Sequence, residues 1–211
     1  DDRSAKTAEL FNQWIAEAHK VLAAQPKANG MTLRGFGGDP QLPSYQDAYG
    51  LKAACVAVYP MYRGVSKLVG MQTILFDGET PADEFAAAAK VWDEYDFLFI
   101  HIKKTDSMGE DGNFDGKVKV IESVDQALPQ LLALKPDVLM VTGDHSKTVK
   151  MRSHSWHPVP LLFWATERGM PDEQTRFGER ACMHGGLGTI PATELMALAL
   201  AHAGRLEKFG A

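Results

Sequence analysis

The chain has 211 residues, enough for one large domain or a domain and a half, and 45% of them are apolar, too many for a disordered segment. Its net charge is −5 with acids and bases interspersed, which removes the electrostatic case for nucleic acid or an anionic membrane as partner. No apolar run approaches the roughly 20 residues of a membrane span. No stretch has the pattern of a secretory signal, and the two cysteines, Cys55 and Cys182, fit a reducing cytoplasm, the expected location.

Asp1-Asp2-Arg3-Ser4 carries no initiator Met and leads at once into a helix, as expected of a chain that begins mid-protein. Residues 5–25 form an amphipathic pattern, with Leu10, Phe11, Trp14, Ile15, Ala18 and Leu22 recurring at three and four. The Gly/Pro-rich stretch Gly35–Pro43 is the best candidate boundary. Ala53–Tyr59 reads as a buried strand with Cys55 in the core. A short helix through Tyr62–Leu68 should end at Gly70. Thr80 is placed as an N-cap and Pro81 as the first residue of a helix running to about Trp92. A strand at 96–102, a helix near 117–133, strands at 137–142 and 159–164 and a last helix from Ala192 to about Leu206 complete the pattern. Continuous apolar strands alternating with helices predict an α/β fold, a mostly parallel sheet covered on both faces. Ligands in such sheets bind beyond the carboxyl ends of the strands.

Two such ends carry metal-ligand chemistry. Val138–Val141 runs into Thr142-Gly143-Asp144-His145-Ser146, and His154 follows shortly before Pro158-Val159-Pro160. Phe97–Ile100 runs into His101, Ile102, Lys103 and Lys104, then Asp106-Ser107-Met108-Gly109-Glu110. A divalent metal needs such a mixture of oxygen and nitrogen donors on loops fixed by rigid strands. The two clusters read as halves of one site. Each residue also has a bland reading. Asp144-His145 suits a capping turn, and His154, like His157, suits a surface position. Asp106 and Glu110 share a face if helical, but Asp111 and Asp115 nearby also suit a solvated acidic loop. Lys103 and Lys104 suit either a phosphoryl group or the surface. Arg34, beside the Gly-rich stretch, suits a bidentate carboxylate or phosphate contact or none.

Together these segments resemble the cofactor-independent phosphoglycerate mutases, archaeal type, within the alkaline phosphatase superfamily. The resemblance rests on His101–Phe114, Lys117, Ile121–Asp125, Thr142–Ser146, His154–Pro160, Phe177-Gly178-Glu179, Gly186-Leu187-Gly188 and the terminal Lys208–Ala211. Leu33–Gly35 and Tyr49–Lys52 match less sharply. The resemblance implies an alkaline-phosphatase-like α/β core with an inserted cap. Residues 1–40 would be the end of that cap and 41–211 the second half of the core. It implies two divalent ions, Mn2+ first, with Zn2+, Co2+ or Mg2+ as substitutes. Asp106 and His154 would serve one ion, Asp144 and His145 the other. Glu110 stands where the family has a His ligand and would take its place, adding negative charge. Arg34 and Lys52 would bind a small phosphorylated hydroxy acid. A Ser or Thr nucleophile, upstream of this chain, would pass the phosphoryl group between 3-phosphoglycerate and 2-phosphoglycerate. The chain would then need the N-terminal half of the same protein and would be inactive alone. A phosphatase or other phosphotransferase of the same superfamily, or a catalytically silent relative with a binding role, are the competing expectations.

Overall fold

The computed structural model describes residues 1–206. The expected ending Lys208–Ala211 lies outside the described residues. The chain separates into two compact units, Asp1–Gln41 and Leu42–Ala211.

The first unit is built on α1 (Asp2–Leu22), capped by Asp1, whose carboxylate accepts a 2.8 Å hydrogen bond from the Ser4 N–H. Its apolar stripe is only half covered, and no residue of α1 is fully buried. Phe11 packs on Phe36 with ring centroids 4.4 Å apart.

The second unit follows the order α2 (Tyr45–Tyr49), β1 (Ala53–Ala57), α3 (Pro60–Leu68), β2 (Gln72–Ile74), α4 (Pro81–Lys90), β3 (Phe97–His101), α5 (Lys104–Glu110), α6 (Phe114–Leu132), β4 (Val138–Val141), β5 (Ser146–Thr148), β6 (Ser153–Ser155), β7 (Leu162–Ala165), α7 (Glu179–Cys182) and α8 (Leu195–His202). Strands β2, β1 and β3 form a parallel sheet in that order. All five residues of β1 are buried, because both its faces are covered. Val56 packs against Phe85, Ala88, Ala127 and Leu131 from α4 and α6. Ala53, Cys55 and Ala57 pack on the opposite face with Met71, Tyr45, Tyr62, Phe97 and Phe99. This two-sided burial explains why β1 reads as an unbroken apolar run. The mixed α/β architecture expected from the sequence is present.

Helix α4 starts as its sequence dictates. Thr80 and Asp83 form a reciprocal capping box, and Pro81 occupies the first turn. Asn113 caps α6, accepting from the Gly116 N–H at 2.8 Å. Two differences from expectation have plain causes. The last helix begins at Leu195, because Ala192–Glu194 turns as a 3-10 segment after Pro191. Strands β4 and β7 pair antiparallel. The segment between them folds as the β5–β6 hairpin and supplies no crossover helix, which a parallel pair requires. The Lys104–Glu110 stretch is helical, so the acidic motif sits on a helix directly after β3.

Candidate metal centre

Three chain segments converge at the carboxyl ends of β3 and β4. Strand β3 ends at His101, and α5 places Asp106 in its first turn. Strand β4 ends at Val141, and the next turn carries Asp144 and His145. The β5–β6 hairpin returns His154 to the same place. Asp106, His145 and His154 each offer one ligand atom, and these atoms lie within 4.8 Å of one another. The imidazoles of His145 and His154 lie 3.9 Å apart between centroids. His145 Nε2 is 3.2 Å from Asp106 Oδ1, and His145 Nδ1 is 3.1 Å from Asp144 Oδ1. His145 therefore bridges the two acidic residues.

The charges around Asp106 are unusual. Its side chain is only 19% exposed, yet three cations or donors reach it. Lys103 donates to Oδ2, and Lys147 Nζ lies 3.0 Å from Oδ1. Burial alone would raise the Asp106 carboxyl. Hydrogen bonds from Lys103, Lys147 and His145 outweigh it and hold the group well below the usual carboxylate range. Asp144 is also depressed: burial pushes it up, and the hydrogen bond from the Tyr62 phenol, the neighbouring His145 and backbone N–H donors together more than reverse that. Both groups are anions at neutral pH, the state a metal ligand requires.

Not every expected residue joins this group. Asp144 touches His145 but stands outside the set of three converging donors. Glu110 is turned to Lys147 Nζ at 3.3 Å, and its side chain remains 65% exposed. Lys52 precedes β1, at the opposite end of the strand from the cluster, and its ammonium sits 4.8 Å from the centre of the Tyr95 ring. Arg34 is exposed within the first unit. Lys104 pairs with Glu79 at 3.2 Å, while Lys103 belongs to the site.

Two participants escaped the sequence reading. Tyr62, on α3, donates to Asp144 and stacks on His101 with centroids 3.5 Å apart. Its signal was its position, one turn into the helix that leaves the carboxyl end of β1. Lys147 follows the Asp144-His145-Ser146 motif directly, and that adjacency was visible. Its burial was not.

The donor set suits a first-row divalent ion: one carboxylate and two imidazoles, with Asp106 fixed by neighbouring donors. Residues 28–202 match the metalloenzyme superfamily. The chain belongs to that superfamily. Its curated relatives include a Thermotoga neapolitana protein named "Probable 2,3-bisphosphoglycerate-independent phosphoglycerate mutase", 53% identical across 100% of this chain and 52% of that protein. An Aquifex aeolicus protein of the same name is 52% identical over 98% of this chain and 50% of its own length. The chain thus spans about half the length of the curated relatives it matches. A solved protein of Pyrococcus horikoshii superposes with a TM-score of 0.87 and 31% identity, covering 99% of this chain and 60% of that one. The cofactor-independent phosphoglycerate mutase of Thermoplasma acidophilum superposes with a TM-score of 0.65 and 25% identity, over 94% of this chain and 53% of its own. Among the described residues, no helix is long and apolar enough to cross a membrane.

Proposed function

We propose that this chain supplies the metal-binding part of a cytoplasmic phosphoglycerate mutase that interconverts 3-phosphoglycerate and 2-phosphoglycerate through a phosphoenzyme. The observation that carries the proposal is the convergence of Asp106, His145 and His154 at the carboxyl edge of an α/β core. The names of relatives at about half identity support the substrate class. Mn2+ is the proposed ion, because a mixed carboxylate and imidazole set suits it. Such an ion, when bound, neutralises and polarises phosphoryl oxygens.

The chain's own residues prepare that chemistry. Asp106 and Asp144 are held ionised. His145 is oriented by carboxylates on both sides, 3.1 Å from Asp144 and 3.2 Å from Asp106. Lys103 is drawn to Asp106 on one side and lies 4.8 Å from the centre of the Tyr59 ring on another. It places positive charge where an anionic substrate would approach. In this reading residues 1–40 end a cap and residues 41–211 form the second half of the core, with Arg34 and Lys52 as proposed contacts for the substrate's acidic groups. Lys52, held over Tyr95 at the opposite end of β1 from the Asp106 cluster, is the weaker of the two contacts. The nucleophilic Ser or Thr comes from another half of the same protein.

The test is a coupled assay of phosphoglycerate interconversion with Mn2+, run on the protein as isolated from its source, with Asp106→Asn beside the wild type. Mn2+-dependent turnover that the variant loses supports the proposal. Hydrolysis of the phosphate with no 2-phosphoglycerate formed would assign the site to a phosphatase instead. Absence of both reactions in an intact, folded protein would leave a binding role.

A further inference from the structure

The hairpin that carries His154 has little support of its own. Among the described residues, β5 and β6 pair only with each other, and a two-stranded hairpin by itself is at best marginal in water. Its two strands are not alike. Ser153 and His154 of β6 are exposed, whereas Lys147 of β5 is buried. The hairpin is therefore seated through β5. His154 is the direct cross-strand partner of Lys147, so its place in the cluster depends on what holds the backbone at Lys147.

Two helices hold it. At the end of the acidic motif, glycine faces the hairpin twice. A Cβ at Gly109 of α5 would lie 2.9 Å from the Lys147 carbonyl oxygen. The guanidinium of Arg152, in the turn between β5 and β6, lies where a Cβ on Gly112 would stand. The Lys147 ammonium adds contacts to Asp106 at 3.0 Å and Glu110 at 3.3 Å. Asp106 is itself a candidate ligand, so that grip is open to change when an ion binds. The bond from α6 is not. Lys117 Nζ, near the start of that helix, donates to the Lys147 carbonyl at 2.7 Å. A cation near a helix N-terminus opposes the helix dipole, and among the described residues Lys117 forms no ion pair. The helix gains nothing from this lysine; the hairpin gains a charge-assisted tether.

We propose that Lys117 is a positioning residue of the metal centre: its ammonium latches the backbone of β5 to α6 and thereby holds His154, on the paired strand, beside Asp106 and His145. The inference rests on the metal-centre reading and deepens it. Lys117 touches neither an ion nor a ligand side chain. It keeps the hairpin in place before an ion arrives, so little binding free energy is lost to ordering the third ligand. Without the latch, the exposed strand β6 carries His154 on a hairpin that opens more often, and the ion must close it.

The test combines Mn2+ affinity by calorimetry with amide hydrogen exchange, on the intact protein. The metal-free wild type should already protect the amides of β5 and β6. Lys117→Met preserves a long side chain and removes the donor. It should bind Mn2+ roughly 10–100-fold more weakly, with β5 and β6 exchanging faster and β1 and β3 unchanged. Lys117→Arg keeps a cationic donor and should recover most of that loss. Thr80→Ala weakens the cap of α4, far from the hairpin in sequence, and should leave Mn2+ affinity unchanged. Wild-type affinity in a folded Lys117→Met would overturn the proposal, as would an equal loss in Lys117→Arg or in Thr80→Ala. Fast exchange of β5 and β6 in the wild type would overturn it without any variant. Each of these results leaves the metal-centre reading standing. No Mn2+ bound by any form would remove that reading and the proposal with it.

Discussion

The Tyr62 phenol donates a hydrogen bond to the Asp144 carboxylate, joining the helix after β1 to the turn after β4 across 82 residues of sequence. The same ring stacks on His101 at the end of β3. Tyr62 thus ties together three strand ends. Tyr62→Phe keeps the stack and removes the donor. It should lower stability by about 1 kcal/mol, the typical worth of one hydrogen bond at a partly exposed site. Urea unfolding measures this, and an unchanged midpoint would mean that the bond contributes nothing.

Asp144 orients His145 through the 3.1 Å contact at Nδ1. Carboxylates that hold a ligating imidazole contribute to its affinity for metal. Asp144→Asn should weaken Mn2+ binding by roughly 10–100-fold while leaving the fold intact, because the side chain is 53% exposed. Calorimetric titration is the check. Equal affinity would place Asp144 outside the metal chemistry.

Glu84 is the least expected acid in the fold. It is 2% exposed on α4, its Oε1 has no hydrogen-bond partner, and burial pushes its carboxyl up to about 7. A raised carboxyl favours the neutral form in the folded protein. Its contribution is full below the unfolded value near 4.3 and is lost as pH rises through about 7. Burial lowers His101, which acts in the opposite sense below neutrality. The comparison is therefore between proteins at each pH. Relative to Glu84→Gln, the wild type should lose on the order of 2 kcal/mol between pH 5 and pH 8. Parallel pH profiles for the two proteins would rule this out.

Gly109→Ala tests the contact between α5 and the hairpin. The added Cβ would press on the Lys147 carbonyl, a backbone atom that cannot rotate away. The cost should be about 1–3 kcal/mol, typical of overpacking, with Lys147 displaced from Asp106. Thermal unfolding reads this cost. A variant as stable as the wild type would show that the hairpin moves freely.

The sequence was most informative where local pattern and strand ends coincide. Asp106, Asp144 and His145 follow apolar runs, so the strand ends alone placed them together. His154 joined them through its short separation from that motif. Thr80-Pro81 announced α4 because a capping box is a local device. Pairing is not local. Whether β7 lies parallel or antiparallel to β4 depends on the hairpin between them. That hairpin's register also decides that Lys147, and not a neighbour, stands opposite His154. Glu110 entered the expected ligand set through the family resemblance, and in the structure its carboxylate lies 3.3 Å from a buried lysine of a different element. Lys52 shows the converse: near a motif in sequence, it lies at the other end of its strand.

The most direct test of the metal centre is a thermal shift with Mn2+ on the wild type, Asp106→Asn and His154→Ala. At an ion concentration 100 times its dissociation constant, the wild type should gain about 3 kcal/mol, or roughly 5–10 °C in Tm for a chain of this size. Both variants should lose most of that gain while keeping the metal-free fold. A wild type that does not respond, or variants that respond as strongly as the wild type, would contradict a metal centre built on Asp106, His145 and His154.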